Sequence, residues 1–318
     1  MIIKTTDDKT KRLALLAELK QSPLLDAAQR KWLEDELVRV RRGIEGERDA
    51  AFYIDSYLKD SKNNAVLHDL RLSVDGDTAQ IDHLFFNRFL DFFLIETKCF
   101  NANIDINEHG EFSLAYASGK RFGIESPIEQ SRRHERILAK VLDRLEITGR
   151  MGKKPNFHHV VLLHPKAVIR RPRESAFDTS MVIKADALPS WHKKWIDQDV
   201  GVTDVFAGLL SVRSADTVKE WGDKLARQHR PANLLALPEF MQPKAAPVVA
   251  KEPEPRYEAK PEPVPPAPTT SAPDESLKKK LICVTCGEKI TFAEGRFCWG
   301  NERRFGGFQY CREHQKAF

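Results

Sequence analysis

The segment Phe92-Phe93-Leu94-Ile95-Glu96-Thr97-Lys98 has the composition of a buried strand and yet ends in charged residues. Side chains alternate between the two faces of a strand. Glu96 and Lys98 therefore share one face with the apolar Phe92 and Leu94. An acid and a base at the end of an apolar face are the first sign of a functional site.

The preceding strand-like segment, residues 79–86, has the same feature. Its alternation puts Asp82 on one face with Leu84 and Phe86. Each of the two helices predicted to flank these strands also carries a polar or charged side chain on its apolar face. Glu47 lies on the apolar stripe of a helix predicted over residues 43–58, and Gln130 on that of a helix predicted over residues 126–146.

Inward-facing acids need a chemical explanation, because burying an unpaired carboxylate is costly. Carboxylates that share a site can hold Mg²⁺ or Mn²⁺, whose bound water becomes a nucleophile toward a phosphate. A lysine on the same strand face can orient that water or stabilise the charged transition state. The alternative is a set of ordinary ion pairs, such as Glu96 with Lys98.

The order of predicted elements indicates an α/β domain with a mixed β-sheet flanked by helices. A helical stretch over residues 11–41, broken near Ser22-Pro23, precedes the helix that begins at Gly43. Asp75-Gly76-Asp77 is a turn signal between two strands. The predicted strands are 65–74, 79–86, 91–98 and 157–164, with two short strands in 111–123 and further helices over 188–196 and 216–228.

Composition divides the chain into five parts. Proline, alanine, glutamate and lysine dominate residues 237–277, which cannot bury enough apolar surface to fold and are predicted to form an extended linker. The predicted parts are a helical N-terminal lead-in (1–42), a core (43–150), the C-terminal part of the α/β domain (151–236), the linker (237–277) and a small module (278–318).

Charge and cysteine content set further limits. The formal net charge is only +5. Residues 278–318 hold nine Lys/Arg against four Asp/Glu, so the excess lies in the last module. No signal peptide or membrane-spanning run is recognisable. Five cysteines, four of them in the tail, do not resemble a secreted disulfide framework, and we expect a reducing, cytoplasmic setting.

The tail carries two chelating pairs, Cys283-x-x-Cys286 and Cys311-x-x-His314. Together they supply the four ligands of a tetrahedral zinc ion, and a segment this small needs such a staple to fold. Cys298 is an alternative ligand to His314. We expect one structural Zn²⁺ in a zinc-ribbon-like module. The basic residues around it could neutralise phosphates, and the aromatic residues could stack on unpaired bases. The alternative is that the aromatic residues form a small core.

The ordered motifs Gly43-x-x-Gly46-Glu47, Ile81-Asp82-His83, Ile95-Glu96-Thr97-Lys98 and Pro127-x-x-Gln130 resemble those of NERD, the nuclease-related domain. The resemblance covers about residues 42–150 and implies a restriction-endonuclease-like core of the PD-(D/E)XK superfamily. It implies that Asp82 and Glu96 ligate Mg²⁺, with the Thr97 carbonyl and Glu47 as further ligands. It also implies that Lys98 is the catalytic lysine and that Gln130 lies beside the site.

The leading hypothesis is therefore a Mg²⁺-dependent nuclease, with DNA as the expected substrate, tethered to a zinc module that recognises nucleic acid. A catalytically silent nucleic-acid-binding adaptor is the first alternative. A protein-interaction module, whose zinc ribbon contacts a protein partner, is the second.

Overall fold

The computed structural model describes residues 1–100, 102–199, 213–241 and 280–318. The chain forms two compact units, Met1–Ala246 and Pro247–Phe318. Among the described residues, no helix is both long and apolar enough to cross a membrane.

A six-stranded mixed sheet is the centre of the first unit. Its strands, in spatial order, are β1 (Ile2–Lys4), β2 (Asn64–Val74), β3 (Asp77–Asn87), β4 (Asp91–Lys98), β8 (Asn156–Leu163) and β10 (Val182–Lys184). The pairs β2–β3 and β3–β4 are antiparallel, whereas β1–β2, β4–β8 and β8–β10 are parallel. The predicted α/β class with a mixed sheet is confirmed.

The turn between β2 and β3 has a clear local cause. Asp75 and Gly76 both have positive φ angles, 54° and 87°, and Val74 pairs with Asp77 across them. A two-residue loop with two positive φ angles matches the right-handed twist of a hairpin, and Asp-Gly is a favoured sequence for it. The turn therefore fixes the register that places Asp82 in the middle of β3.

Helices cover both faces of the sheet. They are α2 (Ala27–Leu58), α3 (Pro127–Arg144), α4 (Leu188–Asp199) and α5 (Ala215–Arg227). Helix α1 (Thr10–Leu19) packs on α2 instead, where Leu16 meets Leu33 and Leu37. One core cluster joins alternate strand residues such as Phe86 and Leu94 to α3 and α5. The other joins Phe85 and Ile95 to α2 and α4. This arrangement follows from strands that are apolar on both faces.

The predicted start of a helix at Gly43 is wrong, because α2 is one helix of 32 residues that runs through Gly43 and Gly46. A glycine inside a helix costs only about 1 kcal/mol, which tertiary packing overrides. The helix begins at a capping box, in which Asp26 and Gln29 satisfy each other's backbone amides. The N-terminal lead-in is also not entirely helical, since it contributes β1.

A second sheet has the order β7-β6-β5-β9. Its strands are β5 (Asn103–Ile106), β6 (Phe112–Ala115), β7 (Arg121–Ile124) and β9 (Ile169–Arg170). The two short strands predicted within residues 111–123 correspond to β6 and β7. Ile104 and Leu114 of this sheet share a core cluster with Val161 of β8.

The start of the predicted linker packs on the N-terminal helices. Met241 is 5% exposed and lies in a cluster with Leu16, Leu33 and Leu37. Residues 242–277 of the predicted linker lie outside the described residues. Over residues 280–318, the described part of the second unit, there are three short helices, α6 (Phe292–Gly300), α7 (Glu302–Phe305) and α8 (Arg312–Gln315).

Candidate functional site

The site lies where β3 and β4 part. Their paired ladder runs from Phe86–Phe92 to His83–Ile95. One step further, the Thr97 amide donates a hydrogen bond of 2.8 Å to Asp82 Oδ2. The Asp82 carboxylate therefore accepts the hydrogen bond of the Thr97 amide in place of a backbone carbonyl of β3. Beyond His83–Ile95 the two strands no longer pair, and charged side chains lie at this end of them.

Lys98 ties the end of β4 to helix α3. Its ammonium lies 2.6 Å from Glu96 Oε1 and 3.1 Å from Gln130 Oε1. Ser126 caps α3 by accepting a hydrogen bond from the Glu129 amide, which sets where the helix starts and thus where Gln130 lies. The sequence-predicted Glu96, Lys98 and Gln130 are in direct contact.

Glu47 reaches the site because α2 passes unusually close to the end of β4. A Cβ atom added to Gly46 would lie 2.6 Å from the Cβ of Cys99. Only glycine allows this approach without displacing backbone. Gly46 thus brings the next residue, Glu47, within electrostatic range of Asp82.

The three acids influence one another strongly. Burial raises the pKa of Asp82 well above its usual range, and the charges of Glu96 and Glu47 raise it further, against the opposing effects of the Thr97 amide and Lys98. Burial also raises the pKa of Glu96, which Lys98 opposes, and that of Glu47. A bound cation would compensate the repulsion between these partly desolvated carboxylates.

The donor set fits a hard divalent cation, because carboxylate oxygens are the ligands that Mg²⁺ and Mn²⁺ prefer. Two of the acids are turned toward ammonium groups, Glu96 toward Lys98 and Glu47 toward Lys9. In the part of the chain that the structure describes, one group of three or more His, Cys, Asp or Glu side chains has its donor atoms within 4.8 Å of one another, and it is Cys283, Cys286, Cys311 and His314, not the three acids. A cation shared by the acids therefore requires their side chains to turn.

Sequence reasoning missed three residues near the site. Lys9 lies 2.6 Å from Glu47 Oε2 and 3.1 Å from Asp69 Oδ2. His134 Nδ1 lies 3.8 Å from Glu96 Oε2, and burial, with Arg133 and Lys98, lowers the pKa of His134 to about 4. His134 shares the helix stripe of Gln130, which was a usable signal. Asp69 interrupts an apolar strand, which was another.

Three of the four tail cysteines form a compact cluster with His314. Its closest contacts are Cys311 Sγ to His314 Nδ1 at 3.1 Å and Cys283 Sγ to His314 Nδ1 at 3.6 Å. The donor atoms of Cys283, Cys286, Cys311 and His314 all lie within 4.8 Å of one another, so this Cys₃His set could bind a zinc ion.

Two further observations support that ligand set. Burial opposes ionisation of Cys283, but backbone amides, including those of Cys311 and Cys286, lower the pKa of its thiol to about 6. The alternative ligand Cys298 is fully buried outside the cluster, where its sulfur accepts hydrogen bonds from the Tyr310 amide and from Gln315. Cys298 thus serves the small core rather than the cluster.

Comparison with known families gives one match. Residues 42–164 match the family model of NERD, the nuclease-related domain. The match confirms the resemblance drawn from the sequence and extends it past residue 150 to include β8. All five predicted residues, Glu47, Asp82, Glu96, Lys98 and Gln130, lie inside the matched range. No curated protein and no solved structure matches the chain.

The match indicates a nuclease-related function for this part of the chain.

Proposed function

We propose that the chain is a metal-dependent nuclease that hydrolyses phosphodiester bonds of nucleic acid, with DNA as the preferred substrate. The observation that carries the proposal is the meeting of Asp82, Glu96 and Lys98 where β3 and β4 part, inside the range that matches a nuclease-related domain. The proposed core is restriction-endonuclease-like.

Asp82, Glu96, the Thr97 carbonyl and Glu47 would hold Mg²⁺ or Mn²⁺. When bound, the ion supplies a more acidic water and stabilises charge on the phosphate. Burial and mutual repulsion of the acids favour a compensating cation once Glu96 and Glu47 turn from their ammonium partners.

Lys98 would orient the attacking water and stabilise negative charge as it develops on the phosphate. Gln130 would position Lys98, because its amide oxygen accepts a hydrogen bond from the ammonium at 3.1 Å. Lys98 also donates a hydrogen bond to Glu96 at 2.6 Å, so two acceptors hold the ammonium.

The zinc module would recognise nucleic acid, and a linker would raise the effective concentration of the nuclease at bound substrate. Exposed side chains support this role: Phe292 is 64% and Phe297 48% exposed, and Arg296 and Arg303 are exposed as well. Arginine neutralises phosphates, and exposed aromatic rings can stack on unpaired bases.

The test is a cleavage assay of the full chain on labelled single- and double-stranded DNA and RNA, with Mg²⁺, Mn²⁺ or EDTA. We expect DNA cleavage that EDTA abolishes. Lys98→Ala tests the catalytic lysine, and Lys140→Ala is its matched control. Lys140 lies on α3 and pairs with Asp75, which is not a site residue. If the chain binds nucleic acid but cleaves none under any of these conditions, the proposed nuclease activity is refuted. The catalytically silent nucleic-acid-binding adaptor is then favoured.

A further inference from the structure

Lys9 brings a second ammonium group to the acids from outside the matched domain. It lies 2.6 Å from Glu47 Oε2 and 3.1 Å from Asp69 Oδ2, whereas the family match begins at residue 42. Lys9 is largely shielded, since 18% of its side chain is exposed. The contact is therefore not one of the loose surface ion pairs that contribute little.

The surroundings hold Asp69 and the segment that carries Lys9 in place. Asp69 is 3% exposed, and its Oδ1 atom accepts a hydrogen bond of 2.8 Å from Gln80. The segment before Lys9 is anchored at Asp7, which bonds Lys4 at 2.7 Å and His229 at 2.9 Å. Lys9 itself directly precedes α1, at the N-cap position.

Solvent reaches this contact. Lys9 and Asp69 line a cleft of about 260 Å³, together with Asp7, Arg71 and Gln80. An ion from solution can thus approach Asp69 and the ammonium without unfolding the chain. The Lys9 ammonium contacts both Asp69, which lines the cleft, and Glu47.

We propose that Lys9 competes with a divalent cation for Glu47, so that the N-terminal segment sets the metal affinity of the site. The proposal rests on the proposed function, which makes Glu47 a metal ligand. An ammonium and a divalent cation each neutralise a carboxylate, but they repel each other at contact distance. Metal binding therefore requires the Lys9 ammonium to withdraw from Glu47, and this withdrawal weakens binding.

The test measures Mn²⁺ binding to the zinc-loaded full chain at pH 8, by electron paramagnetic resonance of free Mn²⁺. Lys9→Ala should bind Mn²⁺ about tenfold more tightly than the wild type, as expected for removal of one competing charge in a partly desolvated site. Lys9→Gln, which keeps a hydrogen-bond donor, serves as a second uncharged variant should Lys9→Ala lose its fold. Lys9→Arg keeps the charge and should bind as the wild type does.

Lys11→Ala is the matched control, because Lys11 is exposed in the same segment and its loss changes net charge equally. It should leave Mn²⁺ affinity unchanged. If the folded Lys9→Ala or Lys9→Gln chain binds Mn²⁺ no more tightly than the wild type, while Asp82→Asn abolishes binding, the Lys9 proposal is overturned and the metal site stands. If the wild type binds no Mn²⁺ that depends on Asp82, the metal site itself is refuted, and the Lys9 proposal with it.

Discussion

Gly46→Ala is the substitution that most sharply tests how the site is assembled. The new Cβ would lie 2.6 Å from Cys99 Cβ, and both atoms are attached directly to backbone. No rotation of a side chain relieves the overlap, so α2 must move away from the end of β4. Because Glu47 is the next residue, the move also takes its carboxylate away from Asp82.

The magnitude follows from two opposing effects. Replacing a glycine inside a helix by alanine stabilises a protein by about 1 kcal/mol. Overpacking costs up to about 3 kcal/mol, and a clash between two backbone-attached atoms belongs near that limit. We therefore expect Gly46→Ala to lower the free energy of unfolding by about 2 kcal/mol. Gly43→Ala is the matched control, since its Cβ would meet nothing within 4 Å, and it should stabilise the chain.

The assay is urea denaturation of the zinc-loaded chain, followed by far-ultraviolet circular dichroism, with Mn²⁺ affinity measured in parallel. Cys99→Gly should rescue Gly46→Ala, whereas Cys99→Ala should not, because it retains the clashing Cβ. If Gly46→Ala proves as stable as Gly43→Ala and binds Mn²⁺ normally, the close approach of α2 to β4 does not position Glu47.

Three further predictions concern other parts of the chain. Elemental analysis should find one zinc ion per chain, which His314→Ala loses and Cys298→Ser keeps. Loss of zinc in Cys298→Ser would make Cys298 a ligand. Burial lowers the pKa of His192 to about 4, so the folded state resists protonation and stability should fall as pH drops from about 6.5 to 4. Denaturation midpoints across that range should fall less in His192→Gln, and an equal fall would contradict the assignment. In a chain that ends after Met241, the affinity for substrate and the salt dependence of that affinity should fall more than the cleavage rate. An unchanged salt dependence would show that the zinc module does not bind the substrate.

Local patterns predicted the parts of the site that lie on regular elements. Strand alternation put Glu96 and Lys98 on one face, and the helix stripe put Gln130 toward the sheet. The structure places these three in contact. Each prediction needed only a few neighbouring residues, because strand and helix periodicities are properties of short segments.

Long-range partners could not be predicted in the same way. Lys9 lies in a polar segment without periodicity, and its contact with Glu47 arises only when the N-terminal segment packs against α2. The continuity of α2 through two glycines was also hidden, since tertiary packing overrides their helix propensity. Strands β1 and β10 have three residues each, too few to show an alternating pattern.

In the proposed nuclease, Asp82 binds the metal and Lys98 serves the chemical step. The most direct measurement compares single-turnover DNA cleavage and Mn²⁺ binding in the wild type, Asp82→Asn, Lys98→Ala and the control Lys140→Ala. We expect Asp82→Asn to lose both properties. Lys98→Ala should keep Mn²⁺ binding and lose at least about a hundredfold in rate, the usual effect of removing a group that stabilises transition-state charge. Cleavage by Lys98→Ala or Asp82→Asn at the wild-type rate would contradict these roles of the two residues.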